Sequence, residues 1–345
     1  MRRVSIFLVA LGIFLALIWM VSNSAPSSNP FASAPFEKPF ALGKISTGSQ
    51  LKLKMDFART VPAFDIGVFG NSRSLPVTKG ALDLGNCRLF NFSIGGESIR
   101  NTVAMLRLLA RAGKLPGLSV INVDHFELQM YSNPFGLSFT DRMRFMLVDL
   151  WAGLSDDRIT LHQWAKMVWR HLWSEANIFK RSFELQFFLD GAKRWLGLVG
   201  GVRYMKQAEG NYRSDGSRTM RAFEATEAAQ GVYRSAGAQI LMGYLARDLE
   251  TVAGLQADGA KVVLYESLLN PESEDWYRRH PTPYARASRH AFKDACSRLK
   301  LDCRLPDLST DEKRLPWPNH THAPAPVIND IVNRIVQSVQ PDCLG

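Results

Sequence analysis

The longest apolar run in the chain comes first. After Met1, Arg2 and Arg3, the nineteen residues VSIFLVALGIFLALIWMVS carry no charge. That is close to the ~20 residues that cross a bilayer core as a helix. Two arginines held on the cytoplasmic side place the remainder of the chain outside the cytoplasm, in the periplasmic or extracytoplasmic space beyond an inner membrane. A cleaved export signal is the rival reading, since SNSAPSS supplies small residues after the run. The run exceeds the roughly 7–15 residues of a signal's apolar core, however, and Pro26 after Ala25 makes a poor cleavage junction. Both readings export the working part of the protein. Residues 24–58, rich in Ser, Pro, Ala and Phe, read as a tether with little regular structure.

Beyond the tether the pattern changes to short apolar runs alternating with helical periodicity. FDIGVFG, 64–70, predicts a buried strand, and 87–92, the centre of GALDLGNCRLFNFSIGG, a second one ending in a glycine turn. Ile99, Val103, Leu106 and Ala110 have the spacing of an amphipathic helix over 97–113, with Gly113 as its stop. LSVINVDHFEL and AKVVLYESLL predict two more buried strands, CRLPDL a short late one, and VINDIVNRIVQSV a closing amphipathic helix. This rhythm predicts an α/β fold over 59–340, a three-layer sandwich around a mainly parallel sheet. Residues 133–204 break the rhythm with five of the eight tryptophans set among Arg and Lys, and read as a helical insertion. Its aromatic faces either pack on the sheet or form a basic amphipathic surface against a membrane. SDGS, 214–217, reads as a turn.

Composition narrows the partners. A formal net charge of +10 suits nucleic acid in general, but no zinc-finger, RNP-type or basic heptad pattern is present and an exported chain rarely meets any. Anionic lipid headgroups or acidic glycans fit the charge better. Four cysteines suit an oxidising compartment; Cys296 and Cys303 are spaced to close a small loop, while Cys87 and Cys343 lie far apart. No Cys or His spacing indicates a metal, and no cofactor motif appears.

In open α/β sheets chemistry collects beyond the carboxyl ends of the strands. Three such places carry suitable residues: 70–74, 93–98 and 319–322. A serine hydroxyl becomes nucleophilic when a histidine within hydrogen-bond reach takes its proton, a third group orients that histidine, and backbone N–H groups hold the oxyanion. Ser72, the Gly95-Gly96 turn and the paired histidines His320 and His322 supply these parts.

GNSRS after an apolar strand resembles the first block of the SGNH, or GDSL-like, hydrolase superfamily, and NFSIGGES resembles its second. NHTH resembles the last block, Asp-x-x-His ahead of a C-terminal helix. The resemblance implies the flavodoxin-like strand order of that superfamily. It also implies Ser72 as nucleophile, His322 as base, Asn319 in the orienting aspartate's place, and the N–H groups of Ser72 and Gly96 as oxyanion donors. The third block, Gly-x-Asn-Asp, is replaced by VINVDHFEL, which leaves Asp124 and His125 near its place. Arg73, Asp124 and His125 are candidates for substrate binding, and Arg73 is equally suited to pairing with a carboxylate at the sheet edge. Exported, membrane-tethered proteins of this kind in bacteria often act on acyl groups of surface polysaccharides. The resemblance therefore implies a serine esterase or O-acyltransferase, with an acylated glycan or lipid-linked substrate and, for transfer, a membrane-protein partner. Asn319 in place of a carboxylate supports a second reading, a catalytically weak glycan-binding or partner protein.

Overall fold

A computed structural model describes residues 2–22, 29–33, 40–42, 47–95, 99–124, 160–182, 202–204, 213, 215–218, 242–279, 283–318 and 322–343, with isolated helical positions between 143 and 192. Its centre is a five-stranded parallel sheet built from β2 (Ile66–Phe69), β3 (Leu89–Asn91), β4 (Leu118–Val123), β6 (Lys261–Glu266) and β7 (Asp302–Arg304). The spatial order is β3-β2-β4-β6-β7. Numbered within the sheet this is 2-1-3-4-5, the flavodoxin-type arrangement, whose strand order reverses beside the first strand.

Strand alternation divides the apolar side chains between two faces. Phe69, Phe90, Ile121, Val123, Val262 and Leu264 point one way. They meet α3 (Thr47–Thr60), α4 (Ile99–Arg111), α6 (Met242–Ala257) and α8 (Pro283–Leu299) through Leu51, Met55, Val103, Leu106, Leu249 and Phe292. Ile66, Val68, Leu118, Val120, Val263 and Tyr265 point the other way and meet Val327, Ile328, Ile331, Val332 and Ile335 of α10 (Ala325–Val339). Each such side chain contributes about 1.5–3 kcal/mol on leaving water. The β-branched strands, buried on both faces, are what a covered parallel sheet requires. The sheet is parallel throughout where a mainly parallel one was expected.

α3 corrects the expectation for 24–58. Thr47–Thr60 is helical, and Leu51, Leu53, Met55 and Ala58 are buried in the core. Phe31, within the short helix α2 (Pro30–Ser33), is buried too and packs edge-on against Phe90. The segment nearest the domain is therefore part of its core. β1 (Phe40–Leu42) pairs antiparallel with β5 (Val202–Tyr204) outside the main sheet.

The outer edge of β3 is covered by the 213–218 turn. The Asn91 N–H donates to Asp215 O, and Gly216 sits with φ +79° so close to the Asn91 carbonyl that a Cβ has no room. Asp215 and Gly216 thus lie in a turn that caps a sheet edge.

Within the Trp-rich stretch, α5 (Leu161–Ser182) is a 22-residue helix. Trp164 donates through Nε1 to Leu150 O and His171 is buried, whereas Trp169 and Trp173 stack on each other in the open. That aromatic face does not pack on the sheet.

α1 (Arg2–Ser22) is helical over 21 residues. Its side chains are described only from Ala10 to Val21. Among the described residues no helix is long and apolar enough to cross a membrane. α7 (Pro271–Arg279) and α9 (Thr310–Arg314) complete the order; α9 opens on a Ser309 and Glu312 capping box. Disulfides join Cys87 to Cys343 and Cys296 to Cys303. The first ties the approach to β3 to the chain's last turn; the second closes the small loop between α8 and β7.

Candidate active site

β2 ends because Gly70 adopts φ +143°, a conformation that side chains disfavour, and because a Cβ there would lie 2.6 Å from Ser74 Oγ and 2.7 Å from Asn122 Cβ. The next residues turn tightly. Asn71 is buried, and its Oδ1 accepts from the Arg73 N–H at 2.8 Å while its carbonyl accepts from the Ser74 N–H at 3.2 Å. Ser72, between them, is lifted to the carboxyl edge of the sheet.

Side chains from below hold this turn. Asn91 Nδ2 donates to the carbonyls of Ser74 and Val77 at 2.8 and 2.9 Å, and the hydroxyls of Ser74 and Ser93 are 2.8 Å apart. The Lys54 ammonium, fully buried on α3, donates to the carbonyls of Asn91, Ser93 and Gly216, each at 2.7 Å. Burial pulls Lys54 well below its ordinary pKa, and the negative charge of Asp215 opposes that pull. Asp215 in turn accepts from Thr78 Oγ1 and the Lys79 N–H, both at 2.8 Å. One buried polar network thus joins α3, the end of β3, the 213–218 turn and the loop carrying Ser72. Its members are satisfied by one another, which favours a single arrangement of that loop.

His322 arrives from the opposite end of the sequence, just ahead of α10. That helix is fixed to the same loop: Asn329 Oδ1 accepts from the Thr78 N–H at 3.0 Å, and its Nδ2 bonds the Ala325 carbonyl at 2.7 Å. The outcome is that Ser72 Oγ and His322 Nε2 are 2.8 Å apart, across 250 residues of sequence. This is within the reach a general base needs before any substrate binds. Among the described residues the Ser72 N–H has no acceptor, which leaves it available to an oxyanion.

Arg73 turns away from solvent. Its Nη2 lies 2.9 Å from Asp124 Oδ2, both side chains are buried, and Asn71 Nδ2 lies 3.5 Å from the same carboxylate oxygen. The carboxyl end of β4 is thereby locked to the turn after β2. Among the described residues the buried Arg73 Nη1 has no hydrogen-bond partner. His322 has its pKa lowered from 6.5 to about 4, first by burial and then by the Arg73 charge. The imidazole is therefore neutral, and able to accept a proton, through the whole neutral range.

Of the residues singled out in the sequence, Ser72, His322, Arg73 and Asp124 come together here. For Arg73 and Asp124 the ion pair is the arrangement found, and each is more than nine-tenths buried. Gly96, His125, Asn319 and His320 lie outside the described residues. Among the described residues no cluster of three or more His, Cys, Asp or Glu side chains is placed to hold a metal. Sequence reasoning missed Lys54, Asn91, Asp215 and Asn329. The one available signal was in α3, where Leu51, Met55 and Ala58 stand four and three residues apart, the spacing of a helix face.

Comparison with known proteins returns no matching family model, no matching curated protein and no matching solved structure.

Proposed function

We propose that this chain is an SGNH-like serine esterase or O-acyltransferase, exported and held at the membrane by α1, acting on acyl esters of envelope glycans. The observation that carries the reading is the 2.8 Å contact between Ser72 Oγ and His322 Nε2 at the carboxyl edge of a 2-1-3-4-5 parallel sheet. In the mechanism His322 takes the Ser72 proton as Oγ attacks the ester carbonyl. The Ser72 N–H, with the Gly96 N–H as the expected second donor, holds the oxyanion. His322 then returns the proton to the departing alkoxide, leaving an acyl group on Ser72. Water or a sugar hydroxyl, deprotonated by His322, attacks that acyl-enzyme and frees Ser72. Hydrolysis and transfer differ only in which hydroxyl arrives. The apolar sequence of α1, the two disulfides and the net positive charge support export and an anionic surrounding.

A second reading, a binding or partner protein with weak catalysis, is favoured by one observation. A base whose pKa lies near 4 accepts a proton at neutral pH less readily than one poised near 7. Hydrolysis of short activated esters by the full chain in detergent separates the two. Turnover that Ser72→Ala abolishes supports the enzyme; turnover absent, or unchanged in Ser72→Ala, supports the binding protein. If the amide of Asn319 limits the base, Asn319→Asp raises the rate.

A further inference from the structure

α5 has two unlike faces. At 100° per residue, Trp164, Val168, His171 and Glu175 fall on one side and are partly or fully covered. Leu161, Leu172, Ala165, Ala176, Trp169 and Trp173 fall within an arc of about 120° on the other. All six are exposed, and the two leucines and two tryptophans are each more than half open to solvent. Lys166, Lys180 and His162, also exposed, lie within this arc or border it on the Trp173 side. An open apolar stripe with tryptophans and an ammonium margin is the pattern of a helix that lies in a bilayer interface.

The position of this stripe identifies its occupant. α5 packs against α1. Along α1, Leu11 to Leu17 are exposed, while Ile18, Trp19 and Val21 are partly covered. The covered positions of α1 thus lie at the end that leads into the domain. On the proposed reading of α1 as a membrane anchor, this is the point where the chain leaves the hydrocarbon. We infer that the open face of α5 lies on the outer surface of the bilayer that α1 crosses, with its indoles at headgroup depth and its lysines on anionic lipid. This would hold the domain close to the membrane, where a lipid-linked glycan is presented.

The inference rests on the membrane-anchor reading, and the test separates the two. All four native cysteines are in disulfides, so an added cysteine can be labelled alone with nitrobenzoxadiazole. The full chain is reconstituted in phosphatidylcholine–phosphatidylglycerol vesicles with or without brominated acyl chains, carrying the label at Leu172→Cys, at Leu17→Cys or at Asp307→Cys. The inference expects the Leu172→Cys label to be blue-shifted and quenched by brominated lipid, with weaker quenching when phosphatidylglycerol is omitted. The Asp307→Cys label should be neither shifted nor quenched. A Leu172→Cys label that emits as in water and escapes quenching overturns the inference, including when a protein partner is the real occupant. The Leu17→Cys label reports separately: quenching there supports the anchor, and its absence refutes the anchor whatever α5 does.

Discussion

Arg73 places a positive charge beside His322, the histidine that the proposed mechanism uses as its base, and this is the most informative place to perturb the site. Removing Arg73 alone strands a buried Asp124 carboxylate, at a cost of about 3–5 kcal/mol, so the useful variant is Arg73→Met with Asp124→Asn. The lowering of His322 from 6.5 to about 4 corresponds to about 3 kcal/mol in favour of the neutral imidazole. Burial is the larger cause and Arg73 the smaller. Removing the charge should therefore raise the His322 midpoint by about one pH unit or less. The assay is an NMR titration of the His322 ring carbon–proton correlation, which needs no turnover. A second readout follows from linkage. Between about 4 and 6.5 the unfolded chain binds a proton that the folded chain does not, so stability rises with pH across that window and is full above it. As pH falls through the window the contribution is lost, and the variant should lose less than the parent. A parent midpoint near the ordinary 6.5, or a variant midpoint that stays where the parent's lies, would refute this reasoning.

Further predictions concern the frame that aims Ser72. Lys54→Met removes the donor from three buried carbonyls and should lower stability by about 3 kcal/mol or more, read as a fall in the urea midpoint. Gly70→Ala forces a side chain into the left-handed region against Ser74 and Asn122. It should cost about 1–3 kcal/mol by thermal unfolding and slow every reaction of Ser72. Replacing Cys87 and Cys343 together by serine should lower stability by about 2–5 kcal/mol, and reductant should then have little further effect from this bridge.

The sheet was legible because its strands are covered on both faces and read as continuous apolar runs between turn residues. Ile66–Phe69, Leu118–Val123 and Lys261–Glu266 fall where the sequence predicts them. α4 and α10 were legible through their 3.6-residue period. The tether was misread at its domain end because Ser, Pro and Ala around it suggest a linker, and because a lysine at position 54 argues against burial. Only a three-dimensional view reveals the three carbonyls that accept its protons. Ser72 and His322 were legible through short blocks resembling a known superfamily, since each sits at a strand or helix end that the pattern already marks. The polar network beneath Ser72 was not legible. Asn91, Asp215 and Asn329 act through tertiary partners up to 253 residues away, and no local periodicity marks such a role. Arg73 was left between substrate binding and carboxylate pairing, and its pair with Asp124 across the turn is a tertiary contact that the sequence does not mark.

In the proposed mechanism Ser72 is a nucleophile activated by His322. The most direct test of that role is the site and rate of covalent labelling by a serine-directed fluorophosphonate, located by peptide mass spectrometry of the full chain. One adduct is expected, on Ser72, absent in Ser72→Ala and formed at least about a hundredfold more slowly in His322→Ala. No adduct on Ser72, or an adduct formed equally fast without the His322 imidazole, would contradict it.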